Sequence, residues 1–548
     1  MNHIDGIKKT AMKQLEYPFA QWLERAEALK PALHRWETPA AWLVEVHPDV
    51  AAWQNAAVRR LSPLPAALAR MRFRKGDVLV AEFPETAVGR LHFRLRAADN
   101  YGDSPAWLRL TPAELPAELL HRDDAYTGVL NPAWLPEEII HVDDLPCEVR
   151  LPRRYSCRYL RIEVLGSPGE IIFSEISITS ESSLPEALPA SPPELPPQER
   201  EIDRICLRTI RNCMQTVRED GAKRDRRLWI GDLRIANLLV HCTNHRYDLI
   251  ERALYLLAGT ATDGDILGCA FERPTPRAGC RMHDYALLFS AVLEEYSRFT
   301  DHATGVGHAL FGIAAEQFHR AAQRWFVGDL ARIPAGSWDF FIDHDSRLEK
   351  DAAFQALAVF SLQALLRLGA ALGRPEEELR PLREWRDRWS AAARLHYYDP
   401  AAGVAVCHGQ VSYASNAWMI LAGILTPAEG QTALRKLEAM PEALRPRTPY
   451  LLFTLMEACA LCGDRARLQA LLLECWGGML RRGADVCWEV YAPEEPFFSP
   501  YQDFRLNSAC HVWSAGAAWF LRMGRPQQAD DGRCFEKARS AAGLPETS

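Results

Sequence analysis

The stretch SLPEALPASPPELPPQER, residues 183–200, divides the sequence into two parts with different hydrophobic periodicity. It contains six prolines and few residues that a core could bury. This composition predicts a semi-rigid, extended linker. Because the pattern before it is typical of strands and the pattern after it is typical of helices, the chain is expected to hold two domains of different class.

Before the linker, apolar and polar residues alternate in short runs. In GRLHFRLRA, residues 89–97, Leu91, Phe93 and Leu95 occupy every second position, and the runs at 158–166 and 175–180 repeat this pattern. A period of two predicts strands with one buried face. We therefore expect a β-sandwich over residues 65–182, after an N-terminal lead, residues 1–64, that holds a short helix near 8–30.

After the linker, apolar residues recur every three or four positions. Residues 201–218 form one such run, and eleven similar runs follow it up to residue 523. This spacing predicts about a dozen amphipathic or buried helices. Twelve helices fit an (α/α)6 toroid, or barrel, over residues 201–525, with six inner and six outer helices, a funnel at one end and a C-terminal tail, residues 526–548.

The overall composition excludes several classes of function. The chain has 548 residues, a formal net charge of -7 and a pI near 6.2, so it lacks the basic footprint of a nucleic-acid-binding protein. No apolar run approaches the length of a membrane span, and the N-terminus lacks the apolar core of a signal peptide, so we expect a cytoplasmic protein that binds neither membrane nor nucleic acid. The sequence leaves open whether the chains form a homo-oligomer.

The fourteen cysteines are expected to be reduced thiols, mostly small core residues. Cys459 and Cys462 have C-x-x-C spacing, but they lie in an apolar helical run without a second pair. A core position is therefore the favoured interpretation. We predict no metal site and no cofactor.

The stretch REDGAKRDRRLWIGDLR, residues 218–234, combines acids, bases and a tryptophan. Carboxyl groups crowded in a cleft raise one another's pKa, which suits acid catalysis near neutral pH. An aromatic face suits a sugar ring, and Asp and Arg suit its hydroxyls. A solvated loop of ion pairs explains the same residue types equally well. The candidate residues of this stretch are Asp220, Arg224, Asp225, Trp229 and Asp232.

Three later stretches also mix aromatic residues with acids or histidine. They are GSWDFFIDHD at 336–345, GADVCWEVYAPEEPFFSPYQ at 483–502 and NSACHVWSAGAAWFL at 507–521. Each has an ordinary structural explanation when taken alone, but four such stretches in one helical domain favour a pocket for a neutral carbohydrate. The candidates here are Trp338, Asp343, Trp488, Glu489 and His511.

These stretches resemble motifs of glycoside hydrolase family 78, the α-L-rhamnosidases. DGAKRDRRLWIGD at 220–232 resembles the acidic signature of the family, and CWE at 487–489 and SACHVWSAG at 508–516 look like its later motifs. RRYSCRYLRIEV at 153–164 looks like the end of the β-domain that precedes the catalytic barrel. The resemblance covers most of residues 70–525.

The resemblance implies an (α/α)6 barrel that hydrolyses terminal, non-reducing α-L-rhamnosides with inversion. It places Asp225 at the general acid and Glu489 at the general base. It places the other residues of the acidic signature, with His511, among the sugar contacts. The family commonly has Glu where this sequence has Asp225, so either the backbone sits closer to the glycosidic oxygen or the acid has moved. The family usually has a small residue where this sequence has Leu228, so the local packing is expected to differ.

Two other functions remain open at this point. One is an (α/α)6 glycosidase or phosphorylase for another sugar, for which Lys223, Arg224 and Arg226 would supply a phosphate pocket. The other is a carbohydrate-binding protein whose catalytic acid has decayed, in which Asp225 would be a remnant. Phosphate dependence would distinguish the first alternative, and rhamnose binding without turnover would distinguish the second.

Overall fold

A computed structural model of the chain describes residues 17–99 and 105–523. Within these ranges an antiparallel β-sandwich is followed by a helical domain. The predicted lead helix is present as α1 (Phe19–Ala28), while residues 8–16 of that prediction and the predicted tail, 526–548, lie outside the described residues.

The sandwich consists of nine strands joined by short helices and loops. Its strands are β1 (His34–Pro39), β2 (Trp42–Pro48), β3 (Ala56–Pro63), β4 (Val78–Ala97), β5 (Ala106–Ala113), β6 (Glu138–Val142), β7 (Cys147–Arg150), β8 (Tyr155–Gly166) and β9 (Ile171–Ser182), with the helices α2 (Leu64–Leu68) and α3 (Pro116–Leu120) between them. All described pairs in this sheet are antiparallel, and the long strand β4 pairs with β2, β7, β8 and β9.

The apolar residues of the alternating runs predicted from the sequence form the buried face of this domain. Leu91, Phe93 and Leu95 on β4 are each at most 2% exposed, and the apolar residues predicted on β8 and β9 are buried with them. The arginines between them on β4 are exposed. Burial of these aliphatic and aromatic side chains supplies most of the stabilising free energy of the sandwich.

The β-domain begins earlier than residue 65, where the prediction placed its start. β1 pairs with β9, and β2 pairs with β3 and β4, so residues 34–63 belong to the same sheet. The prediction missed them because β1 and β3 keep few buried side chains and lack a clean alternation.

The proline-rich stretch is bound along the helical domain instead of spanning free space. The side chains of Leu184 and Leu195 are buried, and the Ser183 amide donates a 2.8 Å hydrogen bond to the Met214 carbonyl. The linker ends four residues earlier than predicted, because the helix after it begins at Pro197 and not at residue 201. At this first helical position the missing N–H of proline costs no hydrogen bond.

The helical domain contains twelve α-helices among the described residues. They are α4 (Pro197–Cys213), α5 (Ile230–Cys242), α6 (Tyr247–Gly259), α7 (His283–Phe299), α8 (Val306–Trp325), α9 (Asp351–Ala371), α10 (Glu376–Tyr397), α11 (Tyr413–Leu421), α12 (Pro427–Glu438), α13 (Pro449–Leu461), α14 (Arg465–Arg481) and α15 (Ala517–Met523). Short strands lie in the loops: β10 (Leu228–Trp229), β11 (Cys269–Phe271), β12 (Arg277–Ala278), β13 (Phe326–Val327), β14 (Leu330–Ala331), β15 (Tyr398–Asp399), β16 (Val404–Cys407) and β17 (Gln410–Val411).

These helices form a closed double ring, as the (α/α)6 prediction requires. The helices α5, α7, α9, α11 and α13 contact one another in that order, and the final segment, residues 512–523, contacts both α13 and α5. Inner helices are buried on nearly every side: 17 of the 21 residues of α9 are buried, against 5 of the 22 residues of the outer helix α10.

Burial also explains why one helix, α9, is so apolar. By length and composition α9 could cross a membrane, and it is the one described helix that meets both criteria. However, 83% of its apolar window is buried inside the protein, where it forms part of the inner ring. Cys459, in the C-x-x-C pair, is likewise fully buried in the inner helix α13.

The two domains are joined by a polar and aromatic interface. Asp485 accepts hydrogen bonds from the backbone amide and hydroxyl of Thr86, at 2.6 and 2.9 Å. Trp53 of the sandwich packs on Trp488 with ring centroids 5.4 Å apart. The sandwich also contacts the loops before α5 and α15, and these two loops carry the candidate site.

Candidate active site

The predicted site stretches precede inner helices of the ring. The acidic loop (residues 218–229) precedes α5, residues 336–345 precede α9, and the late loop (residues 482–511) precedes the final segment. Gly221 and His511 form an isolated β-bridge, so the acidic loop and the late loop meet directly. The fold therefore brings these separate stretches to one end of the ring.

Asp220 holds the acidic loop in shape through backbone hydrogen bonds. Its Oδ1 accepts from the Arg227 amide at 3.0 Å, and its Oδ2 accepts from the Asp225 amide at 3.2 Å. The peptide bond between Arg224 and Asp225 is cis. Burial, followed by the nearby Asp225 carboxylate, raises the pKa of Asp220 to about 7. Through its hydrogen bond to the Asp225 amide, Asp220 fixes the direction in which the Asp225 side chain projects.

Arg224 connects the two carboxylates predicted to be catalytic. Its Nη1 lies 2.8 Å from Asp225 Oδ1, and its Nη2 lies 3.2 Å from Glu489 Oε1. Its Nε donates to the Leu506 carbonyl at 2.8 Å, and its guanidinium lies 3.9 Å from the ring centroid of Tyr501. Each carboxylate contacts a different nitrogen, so one planar group sets the spacing between them.

Glu489 is buried and hydrogen-bonded on both carboxylate oxygens. Oε1 accepts from the Tyr501 hydroxyl at 2.7 Å, and Oε2 accepts from the Ser508 amide at 2.7 Å. Burial raises the pKa of Glu489 above its usual value, while the Arg224 charge and these hydrogen bonds oppose that rise. The carboxylate is thus held in one orientation with a strengthened basicity.

Asp232 and His511 lie together at the start of α5 and are both buried. His511 Nδ1 is 3.6 Å from Asp232 Oδ1, which is too long for a hydrogen bond, and neither atom has a hydrogen-bond partner among the described residues. Burial and the Arg224 charge lower the pKa of His511 well below 6.5, so its imidazole is neutral. Buried polar atoms of this kind are available to ligand hydroxyls.

An aromatic wall connects the loops around these groups. Trp229 meets Tyr285 edge-on at 6.2 Å, and Tyr285 contacts Phe341 at 5.8 Å. Phe341 stacks on Trp513 at 5.6 Å, and Trp513 contacts His511 at 4.1 Å. The wall thus runs from the acidic loop, past the first turn of α7, to the end of the late loop.

The β-sandwich holds the acidic loop from outside the ring. The buried Lys223 Nζ lies 3.2 Å from Glu118 Oε2 and 3.4 Å from Glu114 Oε2. Burial, opposed by Lys223, raises the pKa of Glu114 to about 7. Glu114 also accepts a hydrogen bond from the Ala509 amide in the late loop. One carboxylate of the sandwich therefore contacts both loops that carry the candidate catalytic groups.

The other three predicted substrate contacts differ in exposure and in the contacts they make. Trp338 is 82% exposed, whereas Trp488 is buried against Trp53 at the domain interface. Asp343 accepts hydrogen bonds from the Arg447 amide and the Thr448 hydroxyl, both at 2.7 Å, and so fixes the turn before α13. In the structure, Trp488 packs at the domain interface and Asp343 hydrogen-bonds a turn, so the contacts described for both residues are structural. They were proposed because aromatic residues and acids were close in sequence, which does not determine where a side chain points.

The structure adds residues that the sequence patterns did not indicate. Tyr501 contacts both Arg224 and Glu489, and His344 lies 5.6 Å from the Tyr501 ring. Arg218 is 1% exposed, and none of its guanidinium nitrogens has a hydrogen-bond partner among the described residues. Arg218 stood inside the quoted acidic stretch, but Tyr501 had no signal beyond the aromatic crowding after Glu489.

The site is built without a cluster of metal-ligating side chains. In residues 17–99 and 105–523, no group of three or more His, Cys, Asp or Glu side chains is arranged to hold a metal ion.

Two family models match the chain. The model of the glycosyl hydrolase family 78 α-rhamnosidase N-terminal domain matches residues 40–180, and the model of the bacterial α-L-rhamnosidase six-hairpin glycosidase domain matches residues 198–523. Their boundary falls at the proline-rich stretch. A search of the curated proteins found no match.

The chain is also similar to solved structures of rhamnosidases. A rhamnosidase from Klebsiella oxytoca with rhamnose bound is 36% identical, covers 93% of this chain and 99% of that chain, and superposes with a TM-score of 0.88. A family 78 rhamnosidase of Bacillus sp. GL1 is 18% identical over 85% of this chain and 49% of that chain, with a TM-score of 0.70. The α-L-rhamnosidase of Streptomyces avermitilis complexed with L-rhamnose is 16% identical over 90% of this chain and 44% of that chain, with a TM-score of 0.62. The last two similarities concern the fold alone.

We expect Lys223→Met to destabilise the protein in a pH-dependent manner. The variant leaves Glu114 and Glu118 buried without their countercharge, which costs about 3 kcal/mol when both are ionised. Their pKa values rise further in the folded state, so the loss of stability is largest at pH 8 and shrinks as the carboxyls become protonated toward pH 5.5. Denaturant unfolding across this pH range measures it.

The exposed Lys75 provides a matched control, because Lys75→Met removes the same charge without leaving a buried carboxylate. A Lys223→Met deficit that stays constant from pH 5.5 to 8 would show that the two carboxylates do not depend on Lys223.

Proposed function

The chain belongs to glycoside hydrolase family 78, the α-L-rhamnosidases, and we propose that it hydrolyses terminal, non-reducing α-L-rhamnosides with inversion of the anomeric centre. Membership of the family makes it a rhamnose-removing glycoside hydrolase. The terminal position of the bond, the inverting course and the roles of single residues are our proposal. The observation that carries it is the Arg224 guanidinium bound between Asp225 and Glu489.

Glu489 is the general base in this proposal. A base must be ionised and must hold one orientation toward a water molecule. Donors on both carboxylate oxygens favour the ionised form and fix its direction. Burial strengthens it as a base by raising its pKa.

Asp225 is the general acid. Its side chain is 16% exposed, against 2% for Glu489, so it lies nearer the opening through which a leaving group departs. Arg224 contacts Asp225 Oδ1 at 2.8 Å, and Arg227 lies 3.5 Å from Oδ2. These contacts hold the carboxyl beside the cleft, where it takes up a proton from solvent after each turnover.

The interposed guanidinium supports the proposed inversion. Inverting glycosidases keep their carboxyl groups about 6.5–9.5 Å apart, so that a water fits between the base and the sugar, whereas retaining enzymes bring them to about 5–5.5 Å. A guanidinium bound edge-on by both carboxylates keeps Asp225 and Glu489 from closing on each other. Glu489 can then activate a water on the face opposite Asp225.

The sugar would lie over Asp232, His511 and the aromatic wall. Asp232 Oδ1 and His511 Nδ1 are buried polar atoms without partners among the described residues, and two ring hydroxyls would satisfy them. Rhamnose carries a methyl group in place of a hydroxymethyl group. The Tyr285, Phe341 and Trp513 rings supply the apolar surface that such a methyl group needs.

The geometry disfavours the two alternatives. A phosphate pocket built from Lys223, Arg224 and Arg226 would need these cations to be free, but Arg224 is bound by two carboxylates and Lys223 by Glu114 and Glu118. Arg226 donates its Nε to the backbone carbonyls of Ala222 and Lys223. A decayed binding protein would have no need for a guanidinium that holds both carboxylates at one spacing.

The first test is Glu489→Gln. We expect it to lower kcat for 4-nitrophenyl α-L-rhamnoside by at least about 10³-fold, since the base is lost, while L-rhamnose still binds in a calorimetric titration. Assays with and without phosphate test the phosphorylase alternative. Undiminished turnover by Glu489→Gln would remove this residue from the mechanism.

Asp225→Asn should depend on the leaving group. A poor leaving group needs protonation and a good one does not. We therefore expect kcat/KM to fall about 10³-fold for methyl α-L-rhamnoside but only about 10-fold for 2,4-dinitrophenyl α-L-rhamnoside. Asp225→Glu keeps an acid at the position and should retain part of the activity on both. Equal losses on the two substrates in Asp225→Asn would argue against Asp225 as the acid.

Tyr501→Phe should shift the acidic limb of the pH profile. The Tyr501 hydroxyl stabilises ionised Glu489, so its removal raises the pKa of Glu489 and the base is protonated at a higher pH. The acidic limb of kcat/KM then moves up by about one pH unit. Tyr491→Phe, in the same loop but packed on Trp53, should leave the limb in place. An unmoved limb in Tyr501→Phe would contradict the assigned role of its hydroxyl.

A further inference from the structure

We propose that the β-sandwich supplies the leaving-group subsite, through residues 126–134, and that this subsite takes a leaving alcohol that carries a flat aromatic ring. We call residues 126–134 the bridging loop. The inference rests on the proposed function, because it assigns what lies on the far side of the bond that Asp225 and Glu489 cleave.

One part of the bridging loop is fixed beside the base. The Val129 amide donates to the Tyr501 carbonyl at 3.0 Å, and the Thr127 hydroxyl donates to the Gln502 carbonyl at 2.8 Å. Tyr501 in turn donates its hydroxyl to Glu489. The segment just before the loop is held as well, since Arg505 donates to the carbonyls of residues 121, 122, 124 and 125.

The other end of the bridging loop lies beside the acid. The Trp134 ring centroid is 5.9 Å from the Arg227 guanidinium, and Arg227 Nη1 is 3.5 Å from Asp225 Oδ2. Phe271 lies 4.3 Å from the same guanidinium and holds it from the helical domain. The loop therefore extends from the neighbour of the base to the neighbour of the acid, which is where the proposal places the leaving group.

The polar side chains of the bridging loop already form hydrogen bonds within the protein. The Tyr126 hydroxyl donates to the Leu130 carbonyl at 2.5 Å, and Asn131 Oδ1 accepts from the Ala133 amide at 2.9 Å. The Thr127 hydroxyl is bound by Gln502. The loop thus has few side-chain groups left with which to recognise the hydroxyls of a second sugar.

The surface that remains is apolar. Val129 is 57% exposed, and Leu130 and Trp134 are partly exposed. The flat face of an indole beside a guanidinium favours an aromatic ring over a hydroxylated one. The chemistry of the loop therefore selects a ring that stacks, and the glycone pocket alone selects the sugar.

The experiment compares benzyl and methyl α-L-rhamnoside, whose leaving alcohols have similar acidity. The ratio of their kcat/KM values then reports on binding of the ring and not on leaving-group chemistry. We expect the wild-type protein to favour the benzyl rhamnoside by about tenfold, the size of effect that aromatic contacts give. Trp134→Ala should bring the ratio close to one, and Trp134→Phe should retain most of it.

Trp107→Ala is the matched control. Trp107 is a partly exposed tryptophan of the same domain, 43% exposed and stacked on His141, so its removal should leave the ratio at the wild-type value. Calorimetric titration of the Glu489→Gln protein with the two rhamnosides measures the same preference without turnover, and combining it with Trp134→Ala should remove that preference.

A wild-type ratio near one, or a ratio unchanged in Trp134→Ala, would overturn the subsite while rhamnose release from the methyl rhamnoside still supports the proposed function. Failure to hydrolyse or bind either rhamnoside would overturn the proposed function, and the subsite with it.

Discussion

The contact on which the site depends is that of one guanidinium with two carboxylates. Arg224 binds Asp225 from its own loop and Glu489 from a loop 265 residues later. Without this shared cation, the two ionised carboxylates would repel each other. Because the guanidinium is rigid, planar and always charged, it determines both their separation and their orientation. The loops, the interface and the aromatic wall all help to hold Arg224 and the two carboxylates in these positions.

The β-sandwich takes part in this arrangement, although it lies outside the ring of helices. The acidic and late loops contain little regular structure, so their own backbones do not hold them in place. Glu114 contacts Lys223 in one loop and the Ala509 amide in the other. The bridging loop adds bonds to the segment that carries Tyr501. The catalytic geometry is therefore a property of both domains together, and this explains why the interface is rich in buried charge.

Sequence motifs predicted the acidic loop well because its residues are close together in the chain. Asp220, Arg224, Asp225 and Asp232 lie within thirteen positions, and a short loop before a helix restricts where they can point. The later stretches were less predictable. Composition identified them as rich in aromatic residues and acids, but it did not separate Glu489, in contact with Arg224, from Trp488, its neighbour in the chain, which is buried against Trp53.

The sequence by itself determined the fold class, the order of the domains and the helices of the ring, because hydrophobic periodicity and proline placement are local signals. It also indicated which loops hold the candidate catalytic residues. Only the tertiary structure decided that β1 to β3 belong to the sandwich, that Arg224 bridges the two carboxylates and that the Tyr501 hydroxyl donates to Glu489. These facts depend on contacts between distant parts of the chain, whose partners no local periodicity specifies.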